Sequence, residues 1–463
     1  MSTATADRGQ LTDFEAHVPA VAPHEAAEHV AFSFVESRLI GDATQRYPVN
    51  LIGMPGIGKT SAVRSLGAAV NAQMPPGLTE QCGPFTVGVL NAKQLYKSDL
   101  VGVPVPNEAK TQTRLLSPEL FPSRPDGFGL VLIDEINPED PDVRQTATEL
   151  AFSGIHGQNT LAPGYQPVGA MNPAIPSLQL NRSYMGIEEA NRFTHVLVCS
   201  GADEFLGYMT TRDRDGADPR FADAARMMVY GITEHCGTVE KPPMNPVLHT
   251  YLSKMQPQAV NDPWGRPASG PVPTPRTWEH VNQTLAVGER LVQDGVLSRE
   301  HAEGLMQRHI QGTVGIGPGT QFWAFREIAG ELAFARDVID GTMSIETARD
   351  RLGGAGDRQM DRQYAFATNL VEDVFRRAKQ DALAPQHAER ALLGTGLLDR
   401  DIQAMVITSA TLHADCYVQD LEEAERTTVR ERVVSGILLG GGRSSDPAVR
   451  EVLAANRQTL FAH

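Results

Sequence analysis

Short apolar runs along the chain stop abruptly at glycines or carboxylates. Residues 48–52 form one such run, and glycines follow at once. That is the strand-then-loop pattern of a phosphate-binding turn. Residues 85–90 (FTVGVL) read as a second strand, and residues 129–133 (GLVLI) are almost continuously apolar. A strand of that kind is buried on both faces, as in a parallel sheet covered by helices. Residues 167–171 and 195–199 (HVLVC) repeat the pattern, while residues 31–39 and 61–72 read as helices. Strands alternating with helices predict a doubly wound α/β domain with a parallel sheet over residues 30–205.

Outside that span the texture changes. Residues 1–29 lack periodicity and read as a mobile arm. Residues 206–335 are mostly helical in pattern, broken by a Pro/Gly-rich stretch at 263–275, and are expected to form a helical lid. Residues 336–463 read as a helical C-terminal region, with helices at 361–379 and 401–425. Gly440-Gly441-Gly442 reads as a flexible connector, because no strand precedes it and no Lys-Ser/Thr pair follows.

Length and composition agree with this division. A chain of 463 residues suggests two or three domains, and its 41% hydrophobic and 21% charged content is that of a soluble globular protein. No stretch has the uninterrupted apolar length of a membrane span, and the N-terminus has no apolar segment of a secretory signal. The cysteines, Cys82, Cys199, Cys236 and Cys416, form no CxxC pair, and Cys199 reads as a small buried hydrophobe. A reducing, cytoplasmic setting is expected. The net charge of −15 argues against a broad basic surface for nucleic acid.

The candidate chemistry sits at the ends of the apolar runs. Gly53-Met54-Pro55-Gly56-Ile57-Gly58-Lys59-Thr60 fits G-x-x-x-x-G-K-[ST] with an added glycine. Glycines let the backbone curl until successive N–H groups face phosphate oxygens, and the helix opening through Ser61 presents its positive end to the same anion. The cradle thus runs over Gly53, Pro55, Gly56, Ile57 and Gly58. Lys59 is expected to neutralise the β- and γ-phosphates, and the Thr60 hydroxyl to take a Mg²⁺ position. Asp134 and Glu135 end the run at 129–133, where ligands of open α/β sheets bind. Asp134 is expected to hold Mg²⁺ and Glu135 to activate water. Asn172, just after the strand at 167–171, could bond the γ-phosphate or orient the water. Arg192 precedes the strand at 195–199, and Arg276 opens a helix. Guanidinium groups suit phosphate, yet by position alone each is an ordinary surface arginine.

The order GMPGIGKT, LVLIDEIN, GAMNP, EANRF, TPRTWE resembles an AAA+ ATPase of the MoxR-like branch over about residues 30–330. The resemblance implies a P-loop NTPase core and ATP with Mg²⁺ as cofactors. It makes Lys59 and Thr60 the Walker A residues, Asp134 and Glu135 Walker B, and Asn172 sensor 1. Arg192 becomes the arginine finger reaching the neighbouring subunit's ATP, and Arg276 becomes sensor 2. Asp99-Leu100-Val101-Gly102-Val103-Pro104 is similar to a further family segment, and residues 154–167 stand where the branch inserts a β-hairpin. Residues 312–315 with Phe322-Trp323-Ala324-Phe325 resemble the lid end of members that accompany von Willebrand factor A domain proteins. The implied assembly is a homo-oligomeric ring, usually a hexamer, that remodels a protein client in a chaperone-like way. Two departures stand out. Residues 71–84 carry extra loop, and the family's Leu-Asp-Arg-Phe appears as Ala190-Asn191-Arg192-Phe193, without the acid. The alternative is a nucleic-acid-associated AAA+ motor or a nuclease-coupled NTPase.

Overall fold

The computed structural model describes residues 17–40, 46–116, 118, 121–122, 124–157, 159–173, 185–201, 204–207, 218–234, 242, 244–254, 270–331, 334–352, 359–411, 415–418, 421, 423–444 and 447–455. Residues 1–16 of the expected arm and 263–269 of the Pro/Gly-rich stretch lie outside them.

The described residues form ten strands: β1 (Ala20–Val21), β2 (Val49–Ile52), β3 (Thr86–Asn91), β4 (Val103–Pro106), β5 (Thr113–Leu116), β6 (Gly129–Asp134), β7 (Ile155–His156), β8 (Asn159–Thr160), β9 (Tyr165–Met171) and β10 (Thr194–Val198). Six build one sheet in the order β1-β10-β2-β9-β6-β3, and every neighbouring pair runs parallel. The five apolar runs of the sequence become β2, β3, β6, β9 and β10. The strands β2, β9 and β10 are buried along their whole length, as a sheet covered on both faces requires. On one face the helices Pro23–Ile40 and Lys59–Gln73 pack on the sheet. On the other, Ile52, Val131, Ile133 and Met171 share a core with Val143, Ala147 and Leu150 of the helix Pro141–Ser153. That helix starts at Asp140, whose carboxylate accepts from the N–H groups of Asp142 and Val143. It stops at Gly154, which takes the left-handed φ of 71°.

Several expectations need correction. The segment before residue 30 is not an arm throughout. Ala20 and Val21 pair with Leu197 and Val198, and a helix runs from Pro23 to Ile40. Residues 71–84 are mainly helical, ending the helix Lys59–Gln73 and forming the helix Pro76–Cys82. An antiparallel pair, β4–β5, was not foreseen, whereas β7–β8 stands where a hairpin was expected. Cys199 is half-buried.

The chain divides into two compact units, one of residues 1–242 and 259–320, the other of 243–258 and 321–463. The expected boundary at 206 falls within the first unit and the one at 336 within the second. The helices Ala222–Thr233, Pro275–Gln293 and Arg299–Val314 belong to the same unit as the sheet, because each packs on the helix Pro23–Ile40.

The second unit is helical. Phe366, Leu370 and Phe375 of the helix Gln359–Lys379 are at its centre. Arg377 is mostly buried there but paired, bonding Asp373 and Asp340 at 2.5 and 2.7 Å. The single helix expected over 401–425 is broken into Arg400–Thr411, Asp415–Val418 and the start of Glu423–Arg443. Gly440, Gly441 and Gly442 lie inside that last helix rather than in a connector. Among the described residues no helix is long and apolar enough to cross a membrane.

Candidate active site

Because β9 lies between β2 and β6, the carboxyl ends of three strands meet at one edge of the sheet. Open α/β sheets bind ligands at that edge. The loop after β2 turns through Gly56 and Gly58, at φ 79° and 102°, values that side chains beyond glycine rarely adopt. Gly53 is required for a second reason: a Cβ there would stand 2.9 Å from the Val198 carbonyl oxygen. The helix Lys59–Gln73 begins where the loop ends, aiming its first N–H groups back into the curl. Pro55 and Gly56 are exposed at the rim, with Ile57 and Gly58 half-buried and Ser61 in the first helical turn.

Lys59 is 7% exposed. Its Nζ donates to the Gly53 carbonyl at 2.6 Å, the Met54 carbonyl at 3.2 Å and Asn172 Oδ1 at 3.0 Å. Thr60 Oγ1 donates to Asp134 Oδ2 at 3.1 Å. A hydroxyl and a carboxylate oxygen at that separation are the hard donors that Mg²⁺ takes, so the residues present fit this ion. Glu135 follows at φ 53°, in the left-handed region, with its N–H on Asp134 Oδ1 at 3.0 Å. Such a conformation in a non-glycine residue costs about 1–3 kcal/mol and collects at functional sites. The Lys93 ammonium holds the Glu135 carboxylate at 3.2 Å. Lys59, Thr60, Asp134, Glu135 and Asn172 therefore lie together at this edge of the sheet.

Burial pulls the Lys59 ammonium down to about 8, with Asp134 and Glu135 opposing the shift. A phosphate beside it favours the charged form. If a nucleotide phosphate binds there, the free protein has to take up a proton above pH 8. Affinity is expected to fall by up to about tenfold per pH unit above that value. Calorimetry at pH 8.5 in two buffers of different ionisation enthalpy should detect this uptake, and equal heats in both would contradict it.

The two arginines lie elsewhere. Arg192 Nη1 pairs with Glu149 Oε2 at 2.7 Å, and its guanidinium stands 5.2 Å from the Phe152 ring centre. Arg276 approaches the same ring at 5.5 Å, and its carbonyl accepts from the Tyr47 hydroxyl at 3.3 Å. Tyr47 precedes β2 while Gly53 follows it. At about 3.3 Å per residue of extended chain, these points are roughly 20 Å apart. Arg276 is thus brought beside Arg192, at the amino edge of the sheet, and not beside the Lys59 of its own chain. Position in the sequence does not reveal this, because it depends on where the helix Pro275–Gln293 packs.

One part of the site has no signal in the sequence. A cleft of about 140 Å³ opens beside Gly56, Ile57 and Ser61. Its far wall includes Pro23, His24 and Phe205, the last 57% exposed. Glu204 lines it too, held by His24 Nδ1 and Arg220 Nη1, each at 3.3 Å. These residues come from separate segments that only the fold assembles.

No protein-family profile matches the sequence, and no curated protein matches it. Among solved structures, the chain is similar to a full-length MCM homolog from Methanopyrus kandleri, at 16% identity and a TM-score of 0.37. The match covers 62% of this chain and 55% of that one. A likeness that weak assigns neither fold nor function.

Proposed function

We propose that this chain is an ATP-hydrolysing AAA+ machine of the MoxR-like type, working as a homo-oligomeric ring on a protein client. One observation carries the reading. The Lys59 ammonium bonds Asn172 while the neighbouring Thr60 hydroxyl bonds Asp134, so the ends of three strands and one helix share a single hydrogen-bonded centre.

The residues divide the work. The loop from Gly53 to Gly58 and the helix behind it grip the triphosphate, and Lys59 offsets its charge. Thr60 and Asp134 are the groups that would hold Mg²⁺, which, when bound, supplies further positive charge to the phosphates. Glu135 takes the proton of the attacking water, and Asn172 orients that water or the γ-phosphate. Arg192 and Arg276, exposed or half-exposed at the other end of the sheet, serve the ATP of a neighbouring subunit. The resemblance implies a hexamer, and a client that is a von Willebrand factor A domain protein.

Multiple-turnover phosphate release by the full chain with ATP and Mg²⁺ tests this. Turnover is expected, and Lys59→Ala should abolish it. A chain that binds ATP without turnover would be a nucleotide-gated scaffold instead. Strong stimulation by added DNA would favour the nucleic-acid motor.

A further inference from the structure

Deep in the first unit, a carboxylate and two imidazoles meet where no motif points. Glu36 comes from the helix Pro23–Ile40, His280 from Pro275–Gln293 and His309 from Arg299–Val314. Both histidines are fully buried and Glu36 is 5% exposed. Glu36 Oε2 lies 3.1 Å from His280 Nε2 and 3.5 Å from His309 Nε2, and all three donor atoms fall within 4.8 Å of one another. We propose that Glu36, His280 and His309 hold one divalent transition-metal ion, zinc being the expected occupant, as a structural clamp joining three helices.

The spacing fits. Zinc bound tetrahedrally at about 2.0–2.1 Å from nitrogen and oxygen keeps its ligands roughly 3.3–3.4 Å apart. The two measured separations bracket that value. Among the described residues the ion-pair partners of Glu36 are these two imidazoles. A buried carboxylate is disfavoured without a fixed cation, and a divalent ion supplies one.

The surrounding groups hold the ligands in place. Thr284 Oγ1 donates to Glu36 Oε1 at 2.8 Å, leaving Oε2 to face the ion. His309 Nδ1 is 3.1 Å from Nδ1 of the buried His29, so one ring donates and the other accepts. With its Nε2 on the ion, His309 is the donor, which fixes its tautomer. Thr194 Oγ1, 3.4 Å from His309 Nε2, offers an oxygen as the fourth ligand. Full burial makes the site structural rather than catalytic. Its competitor is a hydrogen-bonded cluster without metal, in which both Nε2–H groups donate to Glu36.

Elemental analysis separates the two. Full-length protein from zinc-supplemented cells, passed through EDTA and gel filtration, is expected to retain about one zinc per chain. Asp134→Asn should retain it, since the nucleotide site is not involved. Folded Glu36→Gln and His309→Asn should each lose at least about nine-tenths of it. Should those variants not fold, the wild type decides. Grown on cobalt, it should show the visible bands of a tetrahedral ion without the near-ultraviolet absorption of a thiolate ligand. A wild type free of metal and of these bands, a thiolate signature, or folded variants that keep their zinc would each overturn the assignment.

Discussion

Replacing Glu135 with glutamine is expected to lower ATP turnover by about 100- to 10,000-fold, the usual contribution of a positioned general base. Affinity for ATP should stay within about threefold, because the lost group acts only as the water is deprotonated. Glutamine keeps the shape and removes the basicity. It also removes the charge that pairs with Lys93, but that pair is exposed, with side chains 38% and 26% accessible, and contributes about 0–1 kcal/mol. A fold-wide effect is therefore not expected, and melting temperatures should agree. Steady-state phosphate release and equilibrium binding of a fluorescent ATP analogue give the two numbers. Turnover close to the wild type would remove Glu135 from the mechanism, leaving its left-handed backbone without a chemical reason.

Arg192→Ala and Lys59→Ala should each be inactive alone, while an equal mixture of the two should recover roughly a quarter of wild-type turnover. Each competent site would need a lysine from one subunit and an arginine from the next. Random mixing supplies both at about one boundary in four. The geometry motivates the test, since Arg192 sits with Arg276 over Phe152 and away from the Lys59 of its own chain. Its pairing with Glu149 does not hold it there. A pair with side chains 30% and 47% exposed is worth about 0–1 kcal/mol. An arginine finger contributes a factor of about 10³–10⁵, or roughly 4–7 kcal/mol. On the proposed reading, the phosphate contact would outweigh the ion pair and draw Arg192 from Glu149 to a neighbour's nucleotide. Arg276→Ala mixed with Lys59→Ala should behave the same way. Recovery with Arg192 but not with Arg276 would separate their roles. No recovery with either would count against a shared site.

The parts of this site that were legible in the sequence are those written in consecutive residues. The curl of Gly53–Gly58, the run ending at Asp134 and Glu135, and Asn172 after β9 each announce a strand end by composition, and parallel pairing brings strand ends together. What was illegible depends on packing between distant segments. Ala20–Val21 is too short to show a period, and it becomes a strand only because β10 offers it an edge. Gly440–Gly442 reads as a break, yet the helix Glu423–Arg443 runs through it. The wall of the cleft at His24, Glu204 and Arg220 has the same origin. So does the meeting of Glu36, His280 and His309, three lone residues with no spacing to read.

The two-residue strand β1 has a practical consequence for anyone trimming this polypeptide. Its Val21 carbonyl accepts the Cys199 amide at 2.9 Å, and Pro23 and His24, just after it, line the cleft beside the Gly53–Gly58 loop. Shortening the terminus to the start of the first helix would bare an open row of β10 amides, an invitation to self-association. The same cut would unmoor one side of the chamber next to the Gly53–Gly58 loop. Deletion endpoints belong upstream of Val18, which is itself 2% exposed and part of the same apolar cluster as Ile52 and Leu197.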